Sequence, residues 1–147
     1  MSYRLIPALL TATAVSAASI TPVFAQNEAE EFFLELNSAA DTATSDCRLT
    51  YVATNRTGTG LDQASYEVAV FDGNGIVSRI LVLAFGALPE GKTRVVQFDI
   101  AGQTCADTSR IVVNDVAACT PSDTAATGDF CMSSLATSSR APIQFGL

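Results

Sequence analysis

The chain has 147 residues, 15 acidic against eight basic, a net charge of −7, and neither histidine nor tryptophan. Without histidine there is no His-based catalytic triad, no His-ligated metal site and no histidine pH switch. The acidic balance gives no electrostatic footprint for nucleic acid or anionic lipid, and with methionine only at Met1 and Met132 a Met-rich copper site is excluded.

Residues 1–25 read as a secretory signal peptide. Arg4 supplies a positive start, an apolar stretch runs from Leu5 to Ile20, and Val23-Phe24-Ala25 places branched and small residues at −3 and −1. Cleavage is expected between Ala25 and Gln26, with Val15-Ser16-Ala17 as the weaker alternative. It removes Arg4 and makes the mature chain more acidic still. No other stretch approaches the roughly 20 apolar residues of a membrane span. Residues 26–31 form an acidic lead-in, and 32–147 suits one domain.

Phe32 to Asn37 alternates, with Phe32, Leu34 and Leu36 on one side, which predicts a strand with one buried face. Ser38 to Asp46 reads as a loop. Cys47 to Asn55 alternates again, with Cys47, Leu49, Tyr51 and Ala53 together. Asn55 to Gly60 is a turn, and Asn55-Arg56-Thr57 also fits the glycosylation acceptor pattern. Ser65 to Asp72 is a third strand with Tyr66, Val68 and Val70 inward. Asp72-Gly73-Asn74-Gly75 then makes a hairpin turn, because Asn and Gly accept positive φ cheaply. Ile76 and Val77 stand where a calcium loop needs an oxygen ligand and a glycine.

Ile76 to Phe85 is apolar except for Ser78 and Arg79, which predicts a strand buried on both faces. After the turn at Gly86–Gly91, Lys92 to Ile100 alternates with Val96, Phe98 and Ile100 inward. Ala101 to Thr108 is a loop holding Cys105, Ser109 to Cys119 a strand, and Thr120 to Gly128 a polar loop. Weaker strand signals follow at Met132–Leu135 and Ile143–Phe145; Pro142 marks the last as an edge. Phe32, Tyr51, Tyr66 and Phe98 share the inward parity, whereas Phe33, Phe71 and Phe85 are outward or on a second face. Six to eight short strands with no convincing helix point to an antiparallel β-sandwich.

Cys47, Cys105, Cys119 and Cys131 remain after cleavage, an even number that points to two disulfides in an oxidising compartment, the periplasm or the outside. No pair has the C-x-x-C spacing of a redox or zinc site, and three pairings are open.

Tyr51-Val52-Ala53-Thr54-Asn55-Arg56-Thr57-Gly58, Val68-Ala69-Val70-Phe71-Asp72 and Leu88-Pro89-Glu90-Gly91-Lys92-Thr93-Arg94, followed by Phe98, occur in an order that resembles bacterial immunoglobulin-like modules of the FxLYD and CARDB type. The resemblance covers about residues 32–116 and departs from the FxLYD pattern at Val68–Asp72 and in the four cysteines. It implies an immunoglobulin-like sandwich of about seven strands and carries over no catalytic or ligand-binding residue. The chain also resembles small exported Gram-negative proteins with twin-arginine signals, but the lone Arg4 fits general secretory export. In the implied strand order Cys47 and Cys105 fall at one end and Cys119 and Cys131 at the other. The resemblance therefore implies the pairs Cys47–Cys105 and Cys119–Cys131.

No Gly-x-Ser-x-Gly elbow or phosphate-binding loop is present, and Lys92, the only lysine, sits in a turn. Asp107 and Asp115 flank the sixth strand as solubilising charges. No enzyme activity, metal or cofactor is expected. The expected function is a non-catalytic exported interaction module with a protein partner in the cell envelope. Its contact would be the edge at Ile143, Gln144 and Phe145 in the Ala141–Phe145 segment, through strand addition. One alternative is a small-molecule or carbohydrate binder, against which the lack of tryptophan counts. Another is thiol redox work by Cys119 and Cys131, although no Lys, Arg or His adjoins either cysteine.

Overall fold

In the computed structural model, residues 31–123 and 129–147 are described. The segment expected to be a signal peptide, the expected Ala25–Gln26 cleavage point, most of the lead-in and part of the Thr120–Gly128 loop lie outside them. Eight strands and one helical turn follow in order: β1 (Phe32–Asp41), β2 (Cys47–Asn55), β3 (Leu61–Asp72), β4 (Val77–Leu88), β5 (Thr93–Ile100), β6 (Thr108–Pro121), α1 (Phe130–Ser133), β7 (Leu135–Ser139) and β8 (Gln144–Gly146). No helix among the described residues is long and apolar enough to cross a membrane.

The strands form two four-stranded sheets, β5-β2-β1-β7 and β4-β3-β6-β8. Alternation explains how they stack. Phe32, Leu34 and Leu36 of β1 and Cys47, Leu49, Tyr51 and Ala53 of β2 are buried, and they meet Tyr66, Val68 and Val70 of β3 and Ile111 and Val113 of β6. Period-two burial of this kind fixes register, because a one-residue slip would turn every core side chain to solvent. The core is knitted by aromatic rings. Tyr51 makes edge contacts with Phe85, Phe98 and Phe145 at 5.9, 6.0 and 5.1 Å between centroids, and Phe32 stacks on Tyr66 at 5.9 Å. Each such pair contributes about 0.5–1.5 kcal/mol beyond its buried area.

The hairpin between β3 and β4 closes as its residues dictate. The Asp72 carboxylate accepts from the Asn74 and Ile76 amides, both at 2.9 Å, and Gly75 takes φ +79°. Further along, Gly86 at φ +71° sits at an irregularity where Ala64 faces Gly86 but Ser65 faces Ala84. A Cβ there would lie 2.8 Å from the Arg94 guanidinium, which donates to the Phe85 carbonyl.

Four expectations need correction. The strand after the hairpin is an edge strand with only one buried face: Leu83 and Phe85 point inward, while Ile80 and Val82 are both 57% exposed. A continuous apolar run fits a central strand, but it fits equally an edge strand whose outer face is apolar, and periodicity cannot separate the two. Phe85 accordingly belongs to the core, where Phe98, inward as expected, packs half-buried against it. The sandwich is not wholly antiparallel, because β7 runs parallel to β1 and β8 parallel to β6. Finally, β1 continues to Asp41 through an irregularity between Leu36 and Ser38, β3 begins at Leu61, and a single helical turn, α1, precedes β7.

Candidate functional site

Both disulfides are formed with the pairing that the resemblance implied. Cys47 joins Cys105 with Cα atoms 4.7 Å apart, and Cys119 joins Cys131 at 6.1 Å. The first ties the start of β2 to the loop after β5. Backbone contacts hold that loop in place: the Cys47 amide donates to the Gln103 carbonyl at 2.8 Å, and the Cys105 amide to the Asp41 carboxylate at 2.7 Å. The Gly102 amide donates to Asp46 at 2.7 Å and, with the Thr44 hydroxyl, holds that carboxyl below its ordinary range. The ligand atoms of Asp41, Cys47 and Cys105 lie within 4.8 Å of one another. Both sulfurs are spent on the bridge, which leaves a single carboxylate and no basis for metal binding.

The second bridge pins α1 to β6. Cys131 is buried and Cys119 half-buried, and the Tyr66 hydroxyl donates to the Cys131 carbonyl at 2.9 Å. Burial raises the phenol pKa of Tyr66, and that of Tyr51, far above the usual value. Burial of Cys131 leaves only the Cys119 side of the bridge partly open to solvent.

The C-terminal segment builds the candidate edge. β7 lies beside β1, with the Arg140 amide donating to the Leu36 carbonyl at 2.9 Å and the Arg140 guanidinium 2.9 Å from Glu35. Hydrogen bonds from Asn37 and Arg140 keep the Glu35 carboxyl below its ordinary range. The Ser139 hydroxyl then donates to the Ile143 carbonyl at 2.7 Å, which turns the chain into β8. β8 pairs Gln144, Phe145 and Gly146 with Arg110, Ile111 and Val112. Of the three residues singled out for contact, Ile143 and Phe145 are buried and Gln144 alone presents its side chain. Apart from Gln144, this edge therefore presents mainly backbone groups.

β6 is 14 residues long, yet β8 covers only three of them. Among the described residues no strand pairs with that side of β6 beyond Val112. A shallow groove of about 230 Å³ lies where β8 meets β6 at Arg110–Val112. That is smaller than the ~300–1,000 Å³ typical of small-molecule sites.

The Asn55 glycosylation pattern has a structural role instead. Asn55 is fully buried, and its amide nitrogen donates to the carbonyls of Thr59 and Leu88, both at 2.8 Å. Its side-chain oxygen accepts from the Thr57 hydroxyl at 2.8 Å. The folded chain offers no acceptor nitrogen here.

The outer face of the β4-β3-β6-β8 sheet was not legible as a site. Its signal was the apolar run after the Asp72–Gly75 hairpin, which contains no acidic residue. Val77, Ile80 and Val82 stand exposed on this face, beside Ala69 and Val112. The Arg110 guanidinium lies 4.0 Å over the Phe71 ring at one end, and Asn114 donates to Glu67 at 2.6 Å at the other.

No protein-family model, no curated protein and no solved structure matches this chain.

Proposed function

We propose that this protein is an exported, non-catalytic, immunoglobulin-like interaction module of the periplasm or cell exterior, which takes up an extended segment of a partner beside β6. The observation that carries the reading is the strand position next to β6, filled by β8 only along Arg110–Val112. A sheet edge with unpaired backbone groups is a template for an added strand. Main-chain hydrogen bonds supply affinity there, and alternate side-chain positions supply selectivity.

Two further features support it. Two disulfides fit an oxidising compartment. The strand neighbours, β2 between β1 and β5 and β3 beside β6, follow the order of an immunoglobulin sandwich, in which the first, second and fifth strands share one sheet and the third and sixth the other.

Lys92 is the only lysine, so amine-directed cross-linkers would sample little of this surface. The test is a photo-cross-linking residue introduced at Gln144, in intact cells, with mass spectrometry of the adducts. Gln97, exposed on the outer face of the other sheet, is the control position. One reproducible heterologous adduct from position 144 and none from 97 is expected. Equal adducts from both positions, or none from either, would overturn the edge as the site.

A further inference from the structure

Four of the six large apolar side chains that stand exposed among the described residues are in one stretch: Ile76, Val77, Ile80 and Val82. The solvated face of an antiparallel sheet normally alternates to polar residues. Here the outward positions of β4 are apolar instead, and contiguous apolar patches of this kind mark contact surfaces. β4 carries no acid, in a chain with 15 of them.

The strand register orders this face into three rows. The middle row is Ile80, Ala69 and Val112, which are mutual partners across β4, β3 and β6. One end row holds Val77, Phe71 and Arg110; the other holds Val82, Glu67 and Asp115. The cation thus lies at one end and two carboxylates at the other, with apolar side chains between. Asp72, near the cationic end, is engaged by the amides of its own turn.

A two-fold axis along the middle row, perpendicular to the strands, exchanges the two end rows. It lays β4 over β4 and β6 over β6 with the strands reversed. Ile80 then meets Ile80 of the other copy, Val82 meets Val77, and Arg110 meets Asp115 with Glu67 beside it. An isologous interface requires this self-complementarity under a two-fold rotation. A different apolar partner would not require the cation and the carboxylates to sit symmetrically about the middle row. With the axis on that row, the three strands, about 4.8 Å apart, overlap along about 25 Å and offer roughly 350 Å² per copy, the size of a weak, transient interface.

We propose that the outer face of the β4-β3-β6-β8 sheet is a homodimer interface, two-fold symmetric about the row Ile80–Ala69–Val112, with Arg110 of each copy set against Asp115 and Glu67 of the other. The face leaves the open side of β6 free, so this inference stands apart from the edge reading above. In the Gln144 experiment, an adduct of two copies of this chain reports the dimer and a heterologous adduct reports the edge.

The test is concentration-dependent light scattering or sedimentation of the purified chain and three variants, each checked for an unchanged circular dichroism spectrum. The parent is expected to dimerise. Arg110→Glu sets like charges opposite each other and should weaken the dimer about tenfold or more. Adding Asp115→Arg to Arg110→Glu should restore it, which a merely structural role for Arg110 would not produce. Ile80→Asp should give a monomer. A parent that stays monomeric to about millimolar concentration, a dimer indifferent to Arg110→Glu and Ile80→Asp, or a charge swap that fails to restore it would each overturn the proposal.

Discussion

The Tyr66 hydroxyl donates to the Cys131 carbonyl across the core at 2.9 Å, so a β3 side chain and the Cys119–Cys131 bridge hold the same short helix. Tyr51, equally buried, has a hydroxyl with no hydrogen-bond partner among the described residues. The two rings are alike in burial and opposite in polar satisfaction. Tyr66→Phe should cost about 1–2 kcal/mol, because it leaves a carbonyl unpaired, whereas Tyr51→Phe should be neutral or stabilising. Denaturant melts of the two variants check this, and equal losses would contradict it.

Asn55 should be the most sensitive polar position. Its amide nitrogen bridges the carbonyls of Thr59 and Leu88, so it joins the end of β2 to the end of β4 and the loop before β3. Asn55→Ala leaves both carbonyls without that donor and should cost about 2–4 kcal/mol. Thermal unfolding measures it. A loss as small as that of an exposed substitution would refute the bridging role.

Removing the disulfides should separate their contributions. By loop-closure entropy, losing Cys47–Cys105 costs about 4 kcal/mol and losing Cys119–Cys131 about 3 kcal/mol. Paired Cys→Ala variants compared by denaturant midpoint should show that order. The bridge closing the larger loop should matter more, and the reverse order would contradict the estimate.

The pH profile follows from the direction of each shift. Glu35, Asp46 and Asp99 are held below their ordinary values, 4.5 for Glu and 3.8 for Asp, by hydrogen bonds to Asn37, Gly102 and Arg48 respectively. The stability they contribute is complete above those ordinary values and is lost as pH falls through the lower folded-state values. The denaturant midpoint should therefore be flat from neutrality to about pH 5 and fall below it. Tyr51 and Tyr66 shift the opposite way, with burial favouring the neutral phenol, so above an ordinary value of 10 stability declines as pH rises. Tyr3 precedes the expected cleavage site, so phenolate absorbance of the chain from Gln26 onward should rise only as the fold is lost. A phenolate signal that precedes loss of the far-ultraviolet spectrum would contradict the burial of both rings.

Much of the sandwich was legible because alternation is a local signal. Phe32–Leu36, Cys47–Ala53 and Tyr66–Val70 each name their buried face by parity alone. The hairpin at Asp72–Gly75 was legible because its residues satisfy one another within the turn. What failed was non-local. Nothing in Ile76–Phe85 says that β3 lies on one side of it and that, among the described residues, no strand lies on the other, and so its outer face was misread as buried. The parallel pairing of β7 and β8 depends on the crossing at Arg140–Ile143, where Ser139 and Arg140 bond to groups outside their own strand. The edge at Gln144 was legible through Pro142, but the burial of Phe145 against Tyr51 was not, because it needs the opposite sheet in place.

Hydrogen exchange along β6, followed by NMR on the isolated protein, tests the open strand position most directly. Amides of Asn114–Ala118 that face β3 should exchange slowly and those facing away should exchange fast, in the order that the two register shifts of this stretch against β3 impose, while Arg110–Val112 are protected on both sides. Adding the partner captured through position 144 should protect the fast set. Uniformly slow exchange through Asn114–Ala118 in the isolated chain would mean that the edge is already covered, and would contradict strand addition as the mode of binding.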